Sequence, residues 1–152
     1  MVGDARALPE HRVEPDVRLA KGLSLPILSP EIVEGHVYTR ADWLRREASD
    51  MSRIDVRRGG ITAAKKTAIV CEAYGVRCEI HMSGIGNLHV IGSCPEDTCE
   101  YYERGLLAPG VNYDVVPGYL NRMLDALEPD GYVSLPTRPG LGYDINWDYI
   151  EA

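Results

Sequence analysis

The chain has 152 residues, 45% of them apolar and 26% charged, which is enough length and apolar content to bury one core. A net charge of −7 argues against a nucleic-acid binder, which presents basic patches. No apolar run approaches the roughly 20 residues of a membrane helix, and the opening Met1-Val-Gly-Asp-Ala-Arg6 lacks the apolar stretch of a secretory signal, so a cytoplasmic protein is expected.

Residues 1–22 are polar, with scattered prolines and no period. They read as a poorly ordered lead-in, with a short helical stretch over Val17–Lys21, ahead of one folded domain over residues 23–152. From Leu25 a β-loop-α rhythm sets in. Thr39 is the expected N-cap of a helix over Ala41–Ala48, and Met51–Val56 reads as a strand. The clearest helix follows Gly59-Gly60, because Ile61, Ala64, Ala68 and Cys71 recur at steps of three and four and make one apolar stripe. Gly75 supplies its left-handed C-cap. Val76–His81 is the next strand, Gly84–Ser93 a further helix, and Glu100–Glu103 a last short strand. Beyond it come a loop over Leu106–Pro117, a short helix over Tyr119–Leu127 and a strand over Gly131–Leu135. The tail, Pro139-Gly-Leu-Gly142 and Tyr143–Ile150, reads as an ordered cap lying back on the body.

The four cysteines, Cys71, Cys78, Cys94 and Cys99, form no Cys-x-x-Cys pair and have no histidine at zinc-finger spacing. In a reducing compartment they are expected to be structural thiols.

Four short runs each end in an ionisable residue: Leu25–Glu31, Ser52–Asp55, Arg77–His81 and Glu100–Glu103. The steps between endings are 24, 26 and 22 residues, about one strand, a loop and a covering helix. Parallel strands bring their C-terminal tips to one rim, where barrels of this kind do chemistry. Glu31, Asp55, His81 and Glu103 on such a rim make a candidate active site.

Several segments then take on a further meaning: Arg53-Ile-Asp55-Val-Arg-Arg-Gly59-Gly60-Ile61-Thr62, Glu79-Ile-His81, Asn87-Leu-His89, Cys99-Glu-Tyr-Tyr-Glu103, and Pro139-Gly-Leu-Gly142 with Asn146-Trp-Asp148. In order and spacing they resemble the C-terminal half of the enolase superfamily, in the mandelate racemase branch that includes many acid-sugar dehydratases. The likeness covers Leu23 to Ile150. It implies an α/β fold: the C-terminal half of a (β/α)₈ TIM-type barrel, about four βα units, plus a C-terminal capping segment. It also implies Mg²⁺ as cofactor, a small-molecule carboxylate such as a sugar acid as substrate, and assembly as a homo-oligomer or with a complementary half-barrel.

Carried onto this chain, the resemblance makes Glu31 the fifth-strand metal ligand, Asp55 and His81 the Asp–His dyad, and Glu103 the eighth-strand acid. Removing a proton next to a carboxylate builds an enediolate with two negative charges at one end, which a hard divalent cation offsets. An imidazole suits the base near neutral pH, with Asp55 fixing its tautomer. Glu103, kept protonated by its surroundings, would donate a hydrogen bond to the substrate carboxylate.

The chain departs from the family pattern in two ways. Asp55 lies four residues before Gly59, one fewer than usual in the family, which places a deletion in the loop. The third- and fourth-strand ligands and the second-strand lysines have no counterpart. The rival expectation is therefore a non-catalytic remnant acting at most as an assembly or binding module. Among the remaining candidates, Arg53 and Glu79 are expected to pair on the inner face of the sheet. His89 reads as a packing residue, and Gly59-Gly60 as a close approach of strand and helix.

Overall fold

The computed structural model describes residues 13–33, 36–104, 109–110 and 112–152. The start of the expected lead-in, residues 1–12, and part of the expected loop over Leu106–Pro117 lie outside the described residues.

Helix α1 spans Val13–Gly22, longer than the stretch expected over Val17–Lys21. Acids in its first turn, Glu14 and Asp16, and Lys21 in its last complement the helix dipole. It also belongs to the body, because Val13 is buried with Trp43 and Ala48, and Val17 packs beside them.

Helix α2, His36–Arg45, starts and ends earlier than the Ala41–Ala48 expected, and Thr39 lies inside it. Its end is set by Glu47, which takes a positive φ of 55°. The Ala48 N–H donates to the Trp43 carbonyl and the Glu47 N–H to that of Leu44, a Schellman closure made without glycine. The chain then enters β1, Met51–Ile54, and a 3₁₀ turn over Val56–Arg58.

Helix α3, Gly60–Tyr74, buries Ala64, Ala68 and Cys71 of the expected stripe, and Gly75 closes it at φ 67°. Gly59 at the α3 N-terminus has φ 145°, and a Cβ there would lie 2.8 Å from Ala63 Cβ and 2.5 Å from His36 Nδ1. The close approach is thus to the His36 side chain of α2 and to Ala63 within α3, not between strand and helix, and a Cβ on Gly60 would meet nothing within 4 Å. Strand β2, Arg77–Ile80, and helix α4, Ile85–Ile91, follow, and α5, Trp147–Glu151, ends the chain.

Strands β1 and β2 pair in parallel, with Met51 opposite Arg77 and Ile54 opposite Ile80. Neither of the outer two of the four expected strands forms a ladder. Leu28 makes one parallel bridge to Met51, closed by the Ser29 N–H on the Met51 carbonyl and the Met51 N–H on the Ile27 carbonyl. On the other side the Cys78 N–H donates to the Thr98 carbonyl at 2.7 Å. The side chains of Tyr102 and Glu103 bond to the loop after β2, and residues 100–103 form no ladder.

The core lies between this sheet and α2, α3 and α4. It holds Leu44, Ile54, Ala64, Ala68, Cys71, Cys78, Ile80, Val90 and Cys99. All four cysteines are free thiols. Hydrogen bonds with Cys71, then Cys99, and then burial push the Cys78 thiol well above its ordinary range.

The helix expected over Tyr119–Leu127 does not form. Its backbone pairs with the tail instead: the Asn121 N–H donates to the Asp144 carbonyl and the Asn146 N–H to that of Tyr119. The strand expected over Gly131–Leu135 is reduced to the bridge between Leu127 and Val133. The tail does lie back on the body, yet Trp147 remains 62% exposed. Among the described residues, no helix is long and apolar enough to cross a membrane.

Candidate active site at the strand tips

Burial alternates along both strands, with Ser52, Ile54, Cys78 and Ile80 turned into the core. The alternation leaves Arg53, Glu79 and His81 on the opposite face. The His81 N–H donates to the Ile54 carbonyl at 2.8 Å, which carries the pairing one residue beyond the ladder.

Three of the four expected site residues meet there. His81 Nε2 is 3.2 Å from Glu31 Oε1, and His81 Nδ1 is 3.2 Å from Glu103 Oε2. The residue that joins them is Arg53. Its guanidinium donates to Glu103 Oε2 at 2.6 Å and lies 2.5 Å from His81 Nδ1. It also makes a longer ion-pair contact of 3.5 Å with Glu31. His81 Nδ1 thus stands between a donor, the Arg53 guanidinium, and an acceptor, the Glu103 carboxylate, while Nε2 faces Glu31.

Asp55 lines the same cavity of about 250 Å³ as Glu31 and His81. Its carboxylate accepts the Arg57 N–H and so caps the 3₁₀ turn. The contacts that orient the His81 ring are those to Arg53, Glu31 and Glu103.

Burial by itself would raise the Glu103 carboxyl. The Met82 N–H (2.7 Å), Arg53 and His81 outweigh it and hold the group below the usual glutamate range. Glu103 is therefore ionised and accepts hydrogen bonds, contrary to the protonated donor expected, because arginine and a backbone donor surround it.

The expected pair of Arg53 with Glu79 also gives way, since the Arg53 guanidinium binds Glu103 and Glu31. Burial, and next Glu100, raise the Glu79 carboxyl. A raised acid favours the folded state at low pH, and that contribution is lost as pH rises through the raised value. Glu79→Gln is therefore expected to stabilise the chain at pH 7 by roughly 0.5 kcal/mol, a figure discounted for partial exposure. The gain should vanish near pH 4, and urea unfolding at the two pH values measures it.

Two further polar side chains build the site. Arg40 of α2, fully buried, donates to the carbonyl of Glu31 at 2.7 Å and to that of Arg53 at 3.1 Å. Asn87 of α4 accepts the Val56 N–H at 2.9 Å and donates to the His81 carbonyl at 2.8 Å, tying the two tip loops together. Asn87 lies in one of the family-like segments, whereas nothing in the sequence pattern marks Arg40. On the outer side, the Tyr102 hydroxyl accepts the Gly84 N–H and donates to Asp125, both at 2.8 Å.

Among the described residues, no group of three or more His, Cys, Asp and Glu side chains is arranged to hold a metal ion. The Arg53 guanidinium stands against both Glu31 and Glu103, where a cation would bind them. The residues present do not by themselves form a Mg²⁺ site.

A curated "D-galactonate dehydratase family member" of Enterococcus gallinarum (strain EG2) is 29% identical over 155 residues, covering 96% of this chain and 36% of that protein. The crystal structure of D-glucarate dehydratase from Agrobacterium tumefaciens, complexed with magnesium, superimposes with a TM-score of 0.89 at 38% identity, covering 95% of this chain and 38% of that one. L-talarate dehydratase from Polaromonas sp. JS666, complexed with Mg and L-glucarate, shares the fold with a TM-score of 0.70 at 24% identity, covering 95% of this chain and 35% of that one. The chain thus spans well under half the length of these relatives. Residues 7–149 match the family described as enolase C-terminal domain-like, and the chain belongs to that family.

Proposed function

We propose that this chain carries the proton-transfer rim of an acid-sugar dehydratase, acting on a hydroxy acid of the kind its relatives are named for. The observation that carries this reading is the convergence of Glu31, Arg53, His81 and Glu103 at one end of the two-stranded sheet.

In this reading the His81 ring takes the proton α to the substrate carboxylate. It then returns a proton to the departing β-hydroxyl, which leaves as water. Charge developing on the carboxylate is met by the Arg53 guanidinium, a permanent donor, which takes the electrophilic role first expected of Glu103. Glu103 holds Arg53 and His81 in place. Asp55, at the neighbouring strand tip, is the candidate acid to orient the ring once substrate displaces the present contacts. Mg²⁺, if held here, would supply further charge stabilisation. Glu31 is the residue of this chain that would contribute to it, alongside donors from a complementary half-barrel.

A second reading, a non-catalytic module, is supported by the lack of a complete metal-ligand group among the described residues. Exchange of the α-hydrogen of D-glucarate in deuterated water with Mg²⁺, followed by proton NMR, separates the two. The chain is measured alone and mixed with the N-terminal part of a related dehydratase. Exchange that appears in the mixture and is absent with His81→Asn supports the enzyme. No exchange in either sample supports the module.

A further inference from the structure

The four thiols are not scattered through the core. They form one row, in which Cys71 is hydrogen-bonded to Cys78, Cys78 to Cys99 and Cys99 to Cys94. The inner three are buried, and Cys94 is the end of the row that reaches the surface. Packing a thiol requires apolar neighbours and no contact between sulfurs. Cys94 and Cys99 stand at the two ends of a tight turn beyond α4, with four residues between them. The Cys94 N–H donates to the Ile91 carbonyl at 2.9 Å, and the Thr98 and Cys99 N–H groups both donate to the Pro95 carbonyl at 3.0 Å. Local backbone therefore holds the two sulfurs together. On the outer side, the Lys65 ammonium of α3 lies 3.4 Å from Cys94 Sγ and bonds the Ser93 carbonyl at 2.6 Å.

We propose that Cys94 and Cys99 form an oxidisable dithiol, a modification site at which a small hydroperoxide joins the two sulfurs in a disulfide within the chain. Cys94 is the thiol that a solute can reach. Its sulfur bonds one peroxide oxygen, the O–O bond breaks, and the thiol proton leaves with the other oxygen as water. Cys99 then attacks the Cys94 sulfenic acid. The S–S bond forms, the S–O bond breaks, and the Cys99 proton leaves with that oxygen as a second water. The two thiols give up two electrons and the peroxide takes them. The row prepares the pair for these roles. Burial keeps the Cys94 thiol above its ordinary range, with Lys65 opposing it. The hydrogen bond from Cys78 outweighs burial at Cys99 and holds that thiol below its ordinary range. The accessible sulfur thus has a readier thiolate directly behind it.

The test exposes the full chain to hydrogen peroxide, alkylates the remaining thiols with iodoacetamide under denaturing conditions, and maps them by mass spectrometry. The parent is expected to stay monomolecular and to lose the mass of two hydrogens, with Cys94 and Cys99 joined and Cys71 and Cys78 alkylated. Dithiothreitol should restore the four thiols. Cys99→Ser should stop at a Cys94 sulfenic acid that dimedone traps. Cys94→Ser should keep its three remaining thiols through the same exposure. Thermal melts show that the variants are folded, and mapping of the parent tests the pairing without them. No mass loss in the parent, a bridge that omits either Cys94 or Cys99, or oxidation of Cys94→Ser as fast as the parent overturns the proposal.

Discussion

Arg40→Met is expected to destabilise the chain by about 3–5 kcal/mol, because it removes a fully buried guanidinium that several backbone groups depend on. The guanidinium donates to the carbonyls of Glu31 (2.7 Å), Val33 (2.8 Å), Arg53 (3.1 Å) and His36 (3.3 Å). These acceptors come from α2 itself, from the segment before it and from β1, so one side chain ties together three pieces of chain. Methionine fills much of the volume but leaves buried carbonyls without donors, each costing about 1–3 kcal/mol. Arg40→Lys is not expected to rescue, since an ammonium on a flexible stem cannot span acceptors on separate segments as the planar fork does. Urea unfolding measures the effect. A loss below about 1 kcal/mol would show that water or relaxation satisfies these carbonyls. The consequence reaches the site, because Glu31 and Arg53 are both held through the carbonyls that Arg40 grips.

The contrast between Arg40 and Gly75 shows what was legible in the sequence. Local rules decide Gly75, where the left-handed C-cap needs no knowledge of the rest of the chain, and the Ala64, Ala68 and Cys71 stripe is equally local. The tips of β1 and β2 were legible as well, since a turn and a covering helix separate the two strands that end at Asp55 and His81. The burial of Arg40 depends on three segments meeting, and no window of sequence contains them. The residues from Tyr119 failed for the same reason. Their helical pattern is real, but the tail at residues 144–146 offers their backbone an alternative partner, and tertiary pairing outweighs weak propensity. Within the site, the positions of His81 and Glu103 were readable while the ionisation of Glu103 was not. That state is set by Arg53, fifty residues away in sequence, and by the Met82 N–H. Asp55 was legible as a residue at a strand tip. Its capping bond to the Arg57 N–H is the kind of local competition that aspartate offers any turn.

Arg53→Met tests whether the tip cluster is an electrostatic unit or a set of separate contacts. In the parent chain Arg53, only 16% exposed in its side chain, stands between two carboxylates that are 39% and 42% exposed, Glu103 and Glu31. Its removal leaves two acids and an imidazole with no permanent cation among them. The Glu103 carboxyl is then expected to rise toward and past its ordinary value, since burial persists while one of the groups holding it low is gone. In the parent chain the depressed Glu103 stabilises the fold above the ordinary glutamate pKa, near 4.3, and that contribution fades as pH falls through the lowered value. In Arg53→Met that high-pH contribution is reduced or gone, because the carboxyl is no longer held low. The variant should therefore lose more stability at pH 7 than at pH 5 relative to the parent, within a total cost of roughly 1–3 kcal/mol for the missing hydrogen bonds to charged groups. Carbon-13 NMR of the Glu103 carboxyl reports its titration directly, and unfolding at the two pH values reports the linkage. If the carboxyl titrates where it did before, the Met82 N–H and not Arg53 sets its charge, and the electrophilic role assigned to Arg53 loses its main support. If it moves upward while Arg53→Lys holds it low, the positive charge is what matters at this tip. Poor proton exchange with that same lysine variant would then assign the remaining effect to the geometry of the guanidinium fork.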